Sequence, residues 1–376
     1  MHRGAPMRRI APMAEALNST PAADGFSMPA EYAPHECTWM LWPHRADTWR
    51  DNGAAAQQAY AAMAAAIAEA EPLKMGVRRS QIEAAKALLP SSVEIIELDS
   101  DDAWMRDCGP TFVTNGAGQR RGVDWQFNAW GGKDEGIYSD WELDQKVAEQ
   151  VIELEGNSRY SAPLILEGGS IHVDGEGTCM TTEECLLNKN RNPSMTRKQI
   201  EGHLHDYLGV EQVLWLGAGT FGDETNGHVD NIACFVRPGV VVMTWTDDES
   251  HPQHAISLDA RSRLEAMTDA KGRSLQVELL PMPSLPPMTE QEAAGIAPSD
   301  DVLPRLAGEE LAGSYVNFYI ANGRIVAPLL DERTDDEAMA KLAELFPQRE
   351  VVGLPGREIL LGGGNVHCIT QQVPLP

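Results

Sequence analysis

The sequence predicts an α/β fold arranged as a five-bladed, pseudo-symmetric propeller of ββαβ-like units. Two observations carry this. A cadence recurs along the chain: a helix, a strand of the form Val-x-x-Leu, a strand loaded with polar residues, then a hairpin. In addition, no Pro/Ser-rich linker or charge block divides the 376 residues, so the long chain reads as one domain with internal repetition.

The polar-loaded stretches are Asp102–Pro110, Glu167–Asp174, Asp223–Asn231, Ser314–Phe318 and Gly362–Cys368. The first two separations are about 55–70 residues, and the longer gap holds a Pro-rich insertion at 281–313. Helices are expected before them at 80–88, 140–154, 195–207, 255–270 and 335–346. Closing such units into a ring points the same edge of each unit at one axis. The alternative architecture is an ordinary mixed α/β sheet.

In chain order, residues 1–23 read as a flexible tail, basic through Arg3, Arg8 and Arg9. It lacks the apolar core of a secretory signal, and Met7 and Met13 are alternative starts. The catalytic domain is placed at 24–376, with ordered structure expected from Met28. The run Glu36–Pro43 reads as a buried strand stopped by proline, and its Trp39–Pro43 part is expected to complete the last unit. Asp51 or Asn52 should cap an Ala-rich helix over 53–70, ended by Pro72. Strands at 73–77 and 93–98 flank the helix at 80–88. His251-Pro252-Gln253-His254 reads as a loop despite its metal-like spacing.

The net charge of −26 argues against nucleic-acid or anionic-membrane partners. It suits a small cationic ligand, because an acidic surface raises the local concentration of cations. Six cysteines (Cys37, Cys108, Cys179, Cys185, Cys234, Cys368) are scattered without a CxxC pair, which fits a reducing cytoplasm better than a disulfide framework. No run of about 18 apolar residues offers a spanning helix.

Cys368 follows the turn Gly362-Gly363-Gly364. Glycines allow close approach of a ligand, and a thiol framed by them has the access a nucleophile needs. A buried structural cysteine is the duller alternative. Ring closure would bring Asp107, Glu167, His228, Asp230 and Cys368 together from equivalent places in their units. His228 and Asp230 stand two apart, so on a strand both would face one way. With Glu224, four carboxylates then surround one thiol and one imidazole. That surplus of negative charge would raise the resting thiol's pKa, and it makes sense if the substrate is a cation. A planar guanidinium pairs bidentately with carboxylates, and two of them could hold it with its central carbon facing the thiol.

These residues resemble agmatine deiminase, within the guanidine-modifying superfamily. The matching stretches are Asn18–Pro21 with Asp24–Phe26, Met28–Tyr32, Trp104–Pro110, Glu167–His172, Asp223–Asn231 and Gly362–Gln372, so the likeness spans the chain from about residue 17. The resemblance implies the five-bladed propeller. It implies Cys368 as a nucleophile forming an amidino-cysteine, and His228 as general acid and then base. Asp107 and Asp230 would grip the guanidinium, and Glu167 would orient His228 or share that grip. Trp104 and Glu224 would contact the far ammonium end of agmatine, and Gly364 belongs to the substrate-facing turn. No metal or cofactor is implied, and a homodimer or tetramer fits. Cys108 stands where the family has Thr. Three other readings exist: a peptidyl-arginine deiminase, a metallohydrolase using His172/Asp174 and His228/Asp230 with Glu167, and an inactive propeller scaffold. His172 reads as structural or supporting.

Overall fold

The computed structural model describes residues 15–376. Of the expected tail, residues 1–14 lie outside the described residues. The remainder is built into the fold: Ala16–Leu17 pairs in parallel with Arg159–Tyr160, and Asp24 accepts hydrogen bonds from Ser19 and Tyr160 at 2.7 Å each. Ordered chain therefore begins before Met28. Local backbone pairing and one polar anchor hold this short segment, and neither leaves a periodic signal.

The strands form five separate sheets of three or four strands. Each core unit has the same grammar. Two antiparallel strands form a hairpin, a helix crosses over, and the next strand adds in parallel, as short loops and buried parallel pairing dictate. Ala233–Arg237, Val240–Trp245 and Gln276–Pro281 form one such sheet, with the helix Pro252–Ala266 between the last two strands. Tyr319–Ala321, Arg324–Leu329 and Glu350–Pro355 repeat it around the helix Asp335–Leu345. His172–Val173, Thr178–Thr182 and Gln212–Leu216 do so around Arg197–Leu208. Thr111–Thr114, Arg120–Gln126 and Arg159–Ile165 do so around Val147–Leu154.

The fifth sheet joins the chain ends. Gln371–Pro374 pairs antiparallel with His35–Leu41, which pairs in parallel with Leu73–Val77 after the helix Ala54–Ala68. The expectation that the N-terminal strand completes the last unit is met by this pairing. The helix Ile82–Leu88 departs from the predicted scheme: it is no unit's crossover, but carries an added parallel strand, Val93–Glu97, onto this sheet.

Local details also differ. Gly53, at a left-handed φ of 84°, starts the Ala-rich helix, and neither Asp51 nor Asn52 caps it with a side chain. His251 is not in a loop: its ring accepts the Gln253 N–H and caps the helix that Pro252 opens. Three of the five polar-loaded stretches hold single helical turns where strands were expected, at Met105–Cys108, Gly168–Ser170 and Val229–Ile232, and the Glu167–Asp174 stretch runs on into the short strand His172–Val173. Each such turn stands just before its unit's hairpin, so its side chains leave from the end of a sheet rather than from its face.

All six cysteines are free and buried. Among the described residues no helix is long and apolar enough to cross a membrane. Packing between helix and sheet is close. A Cβ built on Gly122 would lie 2.2 Å from Ile152 Cγ1. Gly122→Val is therefore expected to destabilise the fold by about 1–3 kcal/mol through overpacking. Ile152→Ala in the same chain should restore part of the thermal midpoint, and strictly additive losses in calorimetry would show that the two sites do not compete for that space.

Candidate active site

Cys368 sits on the turn after Asn365, and its Sγ lies 3.1 Å from Asn317 Nδ2 and 3.7 Å from Asp230 Oδ2. Asn317 Nδ2 also donates to Asn231 Oδ1 at 2.9 Å, and its carbonyl oxygen accepts the His367 N–H at 3.0 Å. The thiol is thereby aimed from the backbone of one unit by the amide of its neighbour. Burial pushes its pKa well up, and the charges of Asp230 and Asp107 push it further.

Asp107 closes the other side. Its Oδ1 accepts the Gly169 N–H at 2.9 Å and its Oδ2 accepts the Trp130 indole N–H at 2.9 Å. Burial raises its pKa to about 6, helped by Asp230 and Glu167 and opposed by His228. Trp130 and Ala129 hold positive φ angles of 62° and 53°, a costly backbone for side-chain-bearing residues that aims the indole at Asp107.

His228 stands between carboxylates: Nδ1 is 3.8 Å from Asp107 and Nε2 is 3.6 Å from Glu167. Burial opposes its cation, yet Asp107, then Cys185 and Glu167, outweigh burial and raise its pKa well above the ordinary value. Gly169 shows how tight the cluster is. A Cβ there would fall 2.6 Å from His228 Nδ1 and 2.9 Å from both Asp107 Oδ1 and Asp230 Oδ2. Three polar side-chain atoms thus border one space that only glycine leaves open.

A narrow cleft reaches Asp107 and Cys368, and Trp104, Arg305 and Gly364 are among its other lining residues. Trp104 stacks on Trp49 with centroids 5.1 Å apart, and both indoles donate to Asp102, at 3.0 and 2.7 Å. A Cβ on Gly364 would lie 2.5 Å from the Trp104 ring, so the ring packs directly on the turn that carries Cys368.

Seven of the eight sequence-predicted residues (Cys368, His228, Asp107, Asp230, Glu167, Trp104 and Gly364) come together. His228 and Asp230 do so on a helical turn, not by the strand alternation expected of them. Glu224 stands at the rim beside Gly363, but its carboxylate is not free: Arg305 from the 281–313 insertion pairs with it and also donates to Gly362 O at 2.7 Å. Glu167 likewise is not free to hold a substrate, because Arg191 Nε donates to it at 2.7 Å. Burial works against the Glu167 charge, but Arg191 and His228 hold its pKa down at about 2.

The expected surplus of bare carboxylates is therefore largely compensated. The compensating groups, Arg191, Arg305 and His367, were not anticipated from the sequence, nor was Asn317. For His367 and Asn317 there was a signal, since both lie inside the polar-loaded stretches. Arg106 does not pair with its neighbour Asp107 but lies 3.7 Å from Glu31. His172 also faces Glu31, at 3.8 Å. Cys108 donates to the Trp104 carbonyl at 3.2 Å and stays in the core.

Two buried groups gather metal-type donors, Glu31/His172/His367 and Glu167/Cys185/His228. Each is already met by a guanidinium, Arg106 in the first and Arg191 in the second. Of the two carboxylates near the thiol, Asp230 has one oxygen bonded to His367 and the other, Oδ1, without a partner, while both oxygens of Asp107 accept hydrogen bonds.

The sequence pattern of the Porphyromonas-type peptidyl-arginine deiminase family matches residues 27–374. The chain belongs to that family. Within it, a Shewanella sp. (strain W3-18-1) protein provisionally named an agmatine deiminase is 56% identical over 358 residues, covering 95% of this chain and 96% of the relative. The solved agmatine deiminase of Enterococcus faecalis superposes with a TM-score of 0.93 at 44% identity, covering 96% of this chain and 99% of that one. A substrate-bound agmatine deiminase of C. jejuni matches at 0.80 and 25% identity over 93% of this chain and 96% of that one.

Gly169→Ala tests the crowding directly. The added methyl would displace His228, Asp107 or Asp230, and a misplacement of this size costs on the order of 10²-fold in rate. The expected result is a folded protein with at least that loss in kcat/KM. Unchanged kinetics would show that the three atoms do not share one working space.

Proposed function

We propose that the chain hydrolyses agmatine to N-carbamoylputrescine and ammonia through a covalent amidino-cysteine. The observation that carries this is the pair of carboxylates, Asp107 and Asp230, bordering one space beside His228 and Cys368. Two carboxylates across a planar cation, with a thiol facing its carbon, match a guanidinium and little else. The agmatine deiminase relatives point to the same substrate.

In this reading the five sheets stand round one axis as the blades of an α/β propeller, in a single catalytic domain. Agmatine enters with its methylene chain along Trp104 and its guanidinium between Asp107 and Asp230. Glu224 meets the far ammonium in exchange for Arg305. Arrival of the cation offsets the anionic neighbours that keep Cys368 protonated, so when substrate is bound the thiol gives its proton to solvent water and the thiolate forms. Sγ attacks the guanidinium carbon, and the tetrahedral adduct collapses as the His228 imidazolium gives its proton to departing ammonia. His228, now neutral, takes a proton from water, which attacks the thiouronium and releases the ureido product and the thiol. Glu167, fixed by Arg191, holds His228 in place through both steps. Positioned acid–base help of this kind contributes about 10²–10⁴-fold.

The product is one hydrolysis away from putrescine, so the enzyme serves polyamine biosynthesis, in the cytoplasm where free thiols persist. Assembly as a homodimer or tetramer completes the proposal. A peptidyl-arginine substrate is the weaker reading. Arg305 lies across the rim where a peptide backbone would have to pass.

Ammonia release from agmatine, free arginine and a blocked arginyl peptide separates these readings. Turnover of agmatine alone is expected, unaffected by EDTA and abolished in a folded Cys368→Ser variant. Turnover of the peptide in preference would move the substrate assignment. Loss of activity with EDTA would replace the thiol mechanism with a metal-dependent one.

A further inference from the structure

His367 precedes the nucleophile and has no part in the mechanism above. Its ring lies between two buried carboxylates, with Nδ1 2.8 Å from Asp230 Oδ2 and Nε2 2.8 Å from Glu31 Oε2. A carboxylate oxygen only accepts hydrogen bonds, so both ring nitrogens must carry a proton to satisfy this geometry. Glu31 is itself anchored, since its Oε1 accepts the Ile320 N–H at 3.0 Å. Asp230 Oδ1, in contrast, is buried and has no partner.

We propose that His367 is a positioning residue, which by bridging Glu31 and Asp230 turns the free oxygen of Asp230 toward the substrate's guanidinium. This rests on the proposed deiminase reading. The bridge fixes one Asp230 oxygen and leaves the other for the ligand. It also places a cation behind the carboxylate nearest Cys368, which limits how far that carboxylate suppresses the thiolate. The Met28–Tyr32 stretch thus enters the site through Glu31, although that residue touches no reacting atom.

The groups facing His367 fit this role. Burial and Arg106 oppose its charge, and Glu31 and Asp230 outweigh them, so its pKa is raised. For Asp230 burial again opposes the charge, and His367 overcomes it to hold the pKa low. His172, ring centroid 6.3 Å away, is kept neutral with its pKa down at about 4, chiefly by burial. The signs give a pH profile. A depressed Asp230 stays ionised until pH falls well below the ordinary carboxylate range. A raised His367 keeps the bridge up to a pH above the ordinary imidazole value and loses it beyond.

Three readouts test this. Nitrogen-15 NMR of the resting wild-type enzyme should show one histidine, identified by its loss in His367→Asn or His367→Gln, protonated on both ring nitrogens at pH 8. A neutral ring there overturns the bridge, and this reading needs no turnover, so it stands apart from whether agmatine is the substrate. In kinetics, His367→Asn should raise KM for agmatine more than it lowers kcat, with kcat/KM down by about 10²-fold or more, as expected for an uncompensated buried charge. Its acid limb should move to higher pH, because Asp230 has lost its cation. An acid limb unmoved from wild type, at whatever activity, means that His367 is merely structural. In the double variant His367→Asn/Asp230→Asn the loss should be no greater than in Asp230→Asn alone, and additive losses contradict action through Asp230. If neither His367 variant folds, Glu31→Gln replaces them: the doubly protonated signal should titrate at lower pH than in wild type, and an unchanged titration overturns the proposal.

Discussion

The site depends on burying carboxylates next to a thiol. A carboxylate taken out of water without a partner costs several kcal/mol or simply takes up a proton, and either outcome would remove the charge that chemistry on a cation needs. This chain meets the cost with buried cations: Arg191 for Glu167, His367 for Asp230, and Arg106 for Glu31. Asp107 is left with His228 as its nearest cation and with its pKa raised to about 6. Asp230, the carboxylate nearest Cys368, keeps one oxygen without a partner.

This compensation explains why the fold matters to the function. Glu167 and Arg191 flank one hairpin, Asp230 opens another, Glu31 leads into the sheet that joins the chain ends, and Cys368 sits just before that sheet's last strand. No single unit holds both members of the His367 bridge. The helical turns at the sheet ends serve the same purpose, because they let Asp107, Asp230 and Gly169 point inward while the following hairpins stay in their own sheets. Arg191 makes the dependence plain. Besides Glu167 it bonds the Thr225 carbonyl and the Asn226 side-chain oxygen, at 2.8 and 2.9 Å, so one guanidinium ties the His228 loop to the Glu167 turn.

Much of this was legible in the sequence. Helical periodicity located the crossover helices to within a few residues, except that Val147–Leu154 begins later than expected, and the recurring cadence gave the unit and the joining of the chain ends. The long polar motifs named Asp107, Glu167, His228, Asp230 and Cys368. The partners of those residues were not legible. Arg191 lies 24 residues from Glu167, Arg305 lies 81 from Glu224 and His367 lies 137 from Asp230. Such pairs obey no period and appear only when the chain is folded. Hence the sequence suggested a bare anionic pocket where the structure has a compensated one. The reading of His228-Val229-Asp230 as a strand failed for a related reason. A four-residue turn is too short to show its own period, and the β-branched Val229 favoured extension.

The central claim is that Cys368 attacks a guanidinium held by Asp107 and Asp230. The most direct measurement is mass spectrometry of peptides from enzyme mixed with agmatine and quenched in acid during turnover. The account predicts an adduct on the peptide carrying Cys368, with the added mass of agmatine less ammonia, forming and decaying within one turnover. Steady ammonia release with no such adduct at any quench time, or an adduct confined to Cys108, would contradict it.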